Sequence, residues 1–242
     1  LEIFFRILSA PFRRMFFLFI GENHKYIGES RYGRPLGSGI VIYSDGEKYI
    51  GESQEGVRHG RGIYIFSNGD NYIGEYKHGT RHGKGIYATT EGAMYVGQLE
   101  NGFPNGTGSE TFNNGNKYIG EFKLGVPHGR GVHMWPDESI YIGEFRNGVA
   151  NGYGTAILKS GDTYQGDHKD GKKHGIGTFK WVNGDIYYGE YRNDRRHGKG
   201  KETYFEGDRY EGDWVSDNFE GTGTYFWADG AIYQGEWEAG SM

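Results

Sequence analysis

Histidine recurs at one phase of a regular spacing, and a row of imidazoles could bind a metal ion or supply general bases. Five periods carry it: His59, His82, His128, His174 and His197. Asn105 and Asn151 occupy the same phase. This favours a turn residue, because Asn and His both tolerate a left-handed backbone and form local hydrogen bonds. Neighbouring histidines would stand about 9.6 Å apart if a period spans two strands, whereas zinc needs nitrogens about 2.0–2.1 Å from one ion. We therefore predict no metal site within one chain and no cofactor.

Carboxylates form a second column. Its members are Glu29, Glu52, Glu75, Glu121, Glu144, Asp167, Glu190, Asp213 and Glu236, with Gln98 in the remaining period. A pair of carboxylates can hydrolyse glycosides, but a ladder of near-equivalent groups singles out no pair with the perturbed pKa values that catalysis needs. We expect pairing across strands instead, with these basic candidates: Arg61, Lys84, Arg130 and Lys199. The sequence thus predicts no catalytic residue and no enzyme.

Both columns belong to a repeat of 23 residues. Tyrosine occupies its first position throughout: Tyr26, Tyr49, Tyr72, Tyr95, Tyr118, Tyr141, Tyr164, Tyr187, Tyr210 and Tyr233. Glycine fills positions three, twelve and fourteen of every complete period and most of positions eight and twenty-one; Asp194 and Asp217 are the exceptions at position eight. All 45 glycines except Gly21 belong to these columns. An α-rich domain is excluded, since glycine is costly inside helices.

Each period predicts two short strands joined by tight turns. Residues 49–52 and 60–66 have the pattern of two strands, and dipeptides such as Asn68-Gly69 and Asn101-Gly102 lie at the turns. Asn-Gly between strands is the strongest short-range signal for a β-hairpin. A fixed strand–turn–strand–turn period places each unit against its neighbours only. We predict an all-β fold, an elongated single-layer antiparallel array of β-hairpins.

Aromatic side chains alternate with the glycines. Besides the tyrosines, position five holds Tyr76, Phe122, Phe145, Tyr191, Trp214 and Trp237. Position eighteen holds Tyr43, Phe66, Phe112, Trp135, Trp181, Tyr204 and Trp227. A glycine in a strand leaves bare backbone on which a neighbouring ring can lie flat. We therefore expect rings stacked on glycines to form the core.

The segment from 72 to 87, Tyr-Ile-Gly-Glu-Tyr-Lys-His-Gly-Thr-Arg-His-Gly-Lys-Gly-Ile-Tyr, resembles a MORN repeat, as do the other periods in register. On this resemblance residues 26–242 are a MORN-repeat array of nine complete repeats and a C-terminal half repeat. The resemblance implies scaffolding in cytoskeletal or ciliary assemblies, such as radial spokes, or membrane tethering. It also implies a groove that takes a helical or extended partner segment, dimers in some members, and a disputed binding of phosphoinositides.

Charge is unevenly distributed over the repeat. The net charge is -5, which argues against a general attraction to nucleic acid. Positions six to ten are mostly basic and positions nineteen to twenty-three mostly acidic. Such edges are either solvated turns that prevent aggregation or a basic rail for an acidic partner or an anionic membrane. The predicted anion- or lipid-binding residues are Lys169, Lys172, Lys173, Arg192, Arg195 and Arg196.

Residues 1–25 precede the array as an apolar or amphipathic segment. Residues 1–20 contain no glycine and many large apolar side chains, interrupted by Pro11. A cap on the first hairpin is favoured; an interfacial membrane helix and a targeting segment are the alternatives. The chain contains no cysteine, which suits a reducing compartment.

The sequence therefore predicts a scaffold that binds a protein partner along its aromatic face, as one subunit of a larger complex. The rings expected to be exposed and to contact the partner are those of position five: Tyr76, Phe122, Phe145, Tyr191, Trp214 and Trp237. The alternative is a peripheral membrane tether that binds anionic phospholipid through the basic edge. We expect an intracellular, cytoplasmic protein of the cytoskeleton, the cilium or a membrane surface, and leave a homodimer open.

Overall fold

A computed structural model describes residues 16–20 and 24–242 of the chain, and its regular elements are all β-strands. The predicted all-β class is therefore confirmed for this part. The N-terminal cap or anchor predicted for residues 1–25 falls mostly on residues outside the described ones, and it stays a prediction. The chain divides into two units, Leu1–Val126 and Pro127–Met242.

The first unit is a meander of ten strands, in which each strand pairs with the next in antiparallel orientation. The strands are β1 (Phe16–Ile20), β2 (His24–Arg31), β3 (Arg34–Ile42), β4 (Lys48–Gln54), β5 (Val57–Ile65), β6 (Asn71–Lys77), β7 (Thr80–Ala88), β8 (Met94–Glu100), β9 (Phe103–Thr111) and β10 (Lys117–Lys123).

The second unit repeats this meander from the strand that begins at the boundary. Its strands are β11 (Val126–Met134), β12 (Ile140–Arg146), β13 (Val149–Ile157), β14 (Thr163–Lys169), β15 (Lys172–Lys180), β16 (Ile186–Arg192), β17 (Arg195–Thr203), β18 (Arg209–Val215), β19 (Asn218–Phe226) and β20 (Ile232–Trp237).

Positions seven and eight form the tight turn of each hairpin. Between β6 and β7, His78 and Gly79 both have a positive φ, of 50° and 83°, as a two-residue turn matching the twist of the strands requires. The Gly79 N–H also donates to the Arg58 carbonyl at 2.8 Å. The turn of one repeat is thereby tied to position ten of the repeat before it.

Position twelve is a bulge, and the acidic column holds it. The register of β4 and β5 shifts after Gly51, and Gly60 has a φ of 61°. The Glu190 carboxylate accepts a hydrogen bond from the Lys199 backbone N–H at 2.9 Å, and Glu75 does the same for Lys84 at 3.2 Å. The expected side-chain pairing is formed by Lys199, whose Nζ lies 2.6 Å from Asp213. The main role of this column, a clasp on the backbone of the bulge, was not predicted.

The core consists of tyrosine rings that lie on pairs of glycines. Gly51 and Gly62 face each other across β4 and β5, and the Tyr49 ring covers both. A Cβ added at Gly51 would stand 2.5 Å from the Gly62 Cα and 2.6 Å from the Tyr49 Oη. The Tyr49 hydroxyl donates to the Glu52 carbonyl at 2.6 Å, and the other first-position tyrosines make the equivalent bond. The predicted stacking of rings on glycines is confirmed.

Candidate partner-binding face

Strand alternation gives each unit two different faces. Positions one, three, five, ten, fourteen and sixteen share one face, which we call the ring face because it carries the aromatic columns. Positions two and fifteen share the other, which we call the back face. The pairings that fix this are Tyr72 with Tyr87 and Tyr76 with Arg81 on the ring face, and Ile73 with Ile86 on the back face.

The position-five rings lie inside the ring layer. Trp214 is 1% exposed, and the other five, Tyr76, Phe122, Phe145, Tyr191 and Trp237, are also buried. Each has an edge-to-face contact with a first-position tyrosine: the Trp214 centroid is 5.2 Å from that of Tyr187 and 5.3 Å from that of Tyr210. The expectation that these six rings are exposed is wrong, because the tyrosines of two successive repeats cover them. Their contact with a partner stays a prediction.

An outer row of rings stands further along the strands, at positions sixteen and eighteen. Tyr64 and Phe66 have centroids 4.7 Å apart, and Phe179 and Trp181 4.6 Å apart. The position-eighteen side chains Phe66, Trp181 and Tyr204 are half-buried, and Trp135 is 40% exposed. These rings, rather than those of position five, supply the aromatic surface of the ring face.

Cations of position ten lie on the ring face of the first unit. The Arg58 guanidinium carbon is 4.7 Å from the Tyr64 centroid and 5.5 Å from the Tyr76 centroid. Arg81 stands over Tyr72 and Tyr87 in the same way, at 5.7 and 5.3 Å. Both side chains are half-buried. Within the described residues neither guanidinium forms an ion pair.

The ring-face acids of the first unit have other partners. The Asp70 carboxylate accepts hydrogen bonds from the Tyr87 hydroxyl and the Thr90 N–H, each at 2.9 Å. These bonds, the one from Thr90 first, lower the pKa of Asp70. The Glu47 carboxylate accepts a hydrogen bond from the Tyr64 hydroxyl. These two carboxylates therefore hold a turn and a tyrosine, and within the described residues neither forms an ion pair with Arg58 or Arg81.

The second unit has the same cations with counter-charges built in. The Arg196 guanidinium forms ion pairs with Glu202 at 2.5 Å and with Asp217 at 3.4 Å, and it lies 4.3 Å from the Trp214 centroid. Burial raises the pKa of the Glu202 carboxyl, and the Arg196 charge opposes that rise. Burial lowers the pKa of Lys173, and the nearby Asp194 charge opposes the fall. Asp194 and Asp217 are the two residues that replace glycine at position eight.

The predicted basic edge separates into two sets. Lys169, Lys172, Arg192 and Arg195 are exposed, and Lys169 lies directly opposite Lys172 across its hairpin, as Arg192 does opposite Arg195. Lys173 and Arg196 are half-buried on the ring face. The assignment of these last two to a solvent-exposed edge is wrong, because position ten points towards the rings. Anion or lipid binding by the exposed four stays a prediction.

The histidine column lies in strands rather than in turns. His59, His82 and His174 fall within β5, β7 and β15, next to the bulge glycine, and are half-buried. The prediction of a turn residue is wrong, because these histidines lie inside strands and have no positive φ, whereas the left-handed residues stand at positions seven, eight, twelve and twenty-one. Among the described residues no group of three or more His, Cys, Asp and Glu side chains is placed to hold a metal ion. Nor does that part of the chain contain a helix long and apolar enough to cross a membrane.

A sequence model of the MORN repeat matches nine consecutive segments: 26–48, 49–71, 72–94, 95–117, 118–140, 141–163, 164–186, 187–209 and 210–232. The chain belongs to the MORN repeat family. The incomplete tenth period, from Tyr233 to Met242, lies beyond the last matched segment. Membership of the MORN repeat family supports a general role as a non-enzymatic repeat scaffold. No curated protein matches the chain.

Some solved structures are distantly similar to this MORN protein. The TCP10 domain of Danio rerio CPAP, in complex with a peptide of Danio rerio STIL, is 18% identical over 84% of this chain and 96% of that chain, with a TM-score of 0.43. The same domain without the peptide is 12% identical over 92% of this chain and 99% of that chain, with a TM-score of 0.46. At these scores the likeness supports no conclusion about fold or function.

The ring-face cations are the functional candidates that the sequence interpretation did not single out. Position ten of the MORN repeat is basic in only four periods: Arg58, Arg81, Lys173 and Arg196. The sequence does contain a signal that separates the two pairs, because aspartate replaces glycine at position eight in Asp194 and Asp217. Only the register beyond the bulge shows that position eight of one repeat stands beside position ten of the repeat before it.

Proposed function

We propose that this MORN protein is a non-enzymatic scaffold that binds a protein segment, helical or extended, on its ring face. The observation that supports the proposal is the row of position-eighteen rings, which remain half-exposed on a face that also carries arginine side chains. Trp, Tyr and Arg are the residue types that dominate the binding energy of protein interfaces. A rigid sheet presents them without a large cost of ordering side chains on binding.

Substitution of the outer row tests this function. The double variant Tyr43→Ala/Phe66→Ala removes two half-buried rings of the first unit while leaving the glycine-stacked tyrosines in place. We expect it to fold and to lose the proteins that the unsubstituted chain retains from a native extract. The matched control is Tyr188→Ala, which removes a 57% exposed ring from the back face. Equal recovery with both variants would contradict the proposal.

A membrane tether is the second candidate, supported by the exposed like-charge pairs. Lysine opposite lysine and arginine opposite arginine repel each other across a hairpin, and an anionic surface would relieve that repulsion. Each basic residue near such a surface contributes about 1 kcal/mol. Flotation with anionic and with neutral vesicles tests it. Lys169→Gln/Lys172→Gln should release the protein from anionic vesicles, whereas Lys180→Gln, at the far end of β15, should not.

Cellular placement is a further part of the proposal. A cytoplasmic location in a cytoskeletal or ciliary assembly follows from the resemblance to MORN scaffolds. Imaging of the tagged protein in ciliated cells tests it, and a signal that stays diffuse after detergent extraction would count against an assembly role.

A further inference from the structure

The cations at position ten have different surroundings in the two units. In the second unit the Asp217 carboxylate accepts hydrogen bonds from the Arg196 backbone N–H at 2.9 Å and from its Nε at 3.4 Å. In the first unit the residue equivalent to Asp217 is Gly102, whose N–H donates to the Arg81 carbonyl at 2.8 Å and which carries no side chain. Gly79 stands in the same relation to Arg58.

Arg58 and Arg81 consequently keep their donors available. A guanidinium has five N–H donors, and within the described residues neither side chain forms a hydrogen bond or ion pair of its own. Both lie between rings, in a partly dehydrated setting where an ion pair is stronger than in open water. The arginines are thus positioned on the ring face, and among residues 24–242 no carboxylate forms an ion pair with either of them.

We infer that the ring face of the first unit is the binding site for an acidic protein segment, with Arg58 and Arg81 each holding one of its carboxylates. This rests on the proposed function and specifies the partner's chemistry. The planar guanidinium matches a carboxylate in a bidentate geometry. The second unit supplies the equivalent carboxylates itself, through Asp194, Asp217 and Glu202, and so its ring face does not need an acidic segment.

The repeat also sets the spacing of the carboxylates. Arg58 and Arg81 are one period apart, which spans two strand separations or about 9.6 Å. Two glutamates seven residues apart on a helix are about 10 Å apart. Two glutamates three residues apart on a polyproline II chain lie on one side of it, about 9 Å apart, because that helix has three residues per turn. The half-buried placement of both arginines between rings on the face of the sheet favours a protein carboxylate that projects from a segment over a phosphate in a flat lipid surface.

Defined peptides test the inference. The probes are two fluorescent synthetic peptides. One is a helix of leucine and alanine with two glutamates seven residues apart, and the other is a polyproline II peptide with two glutamates three residues apart. Each has a matched peptide with glutamine at both positions. We expect a glutamate peptide to bind more tightly than its glutamine match, and Arg58→Gln and Arg81→Gln each to weaken it about tenfold. Arg61→Gln, an exposed arginine on the same strand as Arg58, is the matched control and should leave binding unchanged.

Gly102→Asp tests the same point without removing an arginine. A Cβ at Gly102 would meet only the Thr80 Cγ2, at 3.5 Å, and aspartate adopts the required positive φ at Asp194 and Asp217. The new carboxylate should pair with Arg81 and weaken peptide binding about tenfold.

The outcomes separate this inference from the proposed function. Equal binding of glutamate and glutamine peptides would overturn the acidic specificity while leaving the ring face as a binding surface. Binding of neither peptide would also overturn it. Loss of all extract partners in the Tyr43→Ala/Phe66→Ala variant with unchanged glutamate-dependent peptide binding would keep it. Arginine-dependent binding to anionic vesicles in place of glutamate peptides would assign the site to lipid and reject a protein carboxylate.

Discussion

The first and second units place a pair of cations at position ten of consecutive repeats, Arg58 with Arg81 and Lys173 with Arg196, and differ in what faces them. In the second unit, aspartates at position eight and the buried Glu202 supply negative charge; in the first unit glycine, with no side chain, supplies none. A repeat can thus keep its fold while a turn residue and a strand residue decide whether the cation at position ten has an acidic partner within its own unit.

The back faces of the two units differ as well. Isoleucine lies opposite isoleucine from one strand to the next in the first unit, as with Ile50 and Ile63 or Ile63 and Ile73. In the second unit the same positions carry Lys201 and Glu211, which form an ion pair at 3.1 Å. The first-position tyrosines lie on paired glycines in both units, so these differences on the back face do not change that part of the core.

The tyrosine column should set the alkaline limit of both units. Burial raises the pKa to about 12 for Tyr26, Tyr72, Tyr95, Tyr141 and Tyr210. A tyrosine whose pKa is higher in the folded than in the unfolded state stabilises the fold fully below about pH 10, and that stabilisation is lost as the pH rises through the folded value. We expect complete, cooperative unfolding between about pH 10 and pH 12.

Tyrosinate absorbance and far-ultraviolet circular dichroism should follow that transition together. A rise of tyrosinate absorbance in two separate steps would contradict the expected similarity of the two units, because the ring layer would then be less stable in one unit than in the other. Tyrosines that ionise while the dichroism of the sheet persists would contradict the buried column itself.

Alanine at a paired glycine should be the most destabilising single substitution. A Cβ at Gly51 would lie 2.6 Å from the Arg61 carbonyl oxygen, and one at Gly189 would lie 2.5 Å from the Gly200 Cα. Backbone atoms cannot move aside as a flexible side chain can, so we expect each of Gly51→Ala and Gly189→Ala to cost about 3 kcal/mol. Urea unfolding measures the effect in each unit.

The controls are turn glycines with free space around them. Gly46 and Gly171 have φ values of 89° and 80° and no atom within 4 Å of an added Cβ. Alanine there should cost about 1 kcal/mol, from the left-handed backbone alone. Equal losses at turn and paired glycines would show that backbone conformation, rather than ring stacking, explains the glycine columns.

Removal of a position-ten cation should affect the two units unequally. Arg196→Gln leaves the Glu202 carboxylate, whose side chain is 6% exposed, without its partner. We expect a loss of about 2 kcal/mol, below the usual value for a broken buried pair because Arg196 is itself 20% exposed. Arg58→Gln breaks no ion pair and should cost under about 1 kcal/mol, mainly the contact with Tyr64.

Hydrogen exchange can locate these two effects. Arg196→Gln should accelerate amide exchange in β16–β19, and Arg58→Gln should leave exchange in β4–β7 nearly unchanged. A large effect of Arg58→Gln would mean that this arginine serves the fold, and the contrast between the units would disappear.

The period predicted the fold because each column has one structural task. Tyr49 marks the ring, Gly51 and Gly62 the backbone beneath it, and Asn68-Gly69 the turn, and all three expectations follow from local sequence. The exposure of the position-five rings could not be inferred, because Tyr76 is covered by its own repeat's Tyr72 and by Tyr49 of the repeat before. The alternation of side chains along a strand predicts the face on which a residue lies, but its exposed fraction depends on the side chains of the neighbouring repeats.

The ring-face site was missed for a similar reason. Position ten lies between the turn and the bulge, so its face depends on a register that shifts after Gly74. Only that register places Arg81 opposite Tyr76 and beside the turn at Gly102. The charge pattern placed Arg196 on a solvent-exposed edge, because positions six to ten were assumed to form one surface.

The tyrosine hydroxyl should make the smallest contribution, and an equal one in both units. Tyr49 donates to the Glu52 carbonyl at 2.6 Å and Tyr187 to the Glu190 carbonyl at 3.0 Å. Phenylalanine keeps the ring on its glycines but leaves that carbonyl without the bond, so Tyr49→Phe and Tyr187→Phe should each cost about 1 kcal/mol. Thermal unfolding of both variants provides the measurement, with Tyr188→Phe, an exposed ring on the back face, as the control. A loss of thermal stability in one unit only would show that the two ring layers are not equivalent. The tyrosine hydroxyl would then fix the bulge more strongly in that unit than in the other.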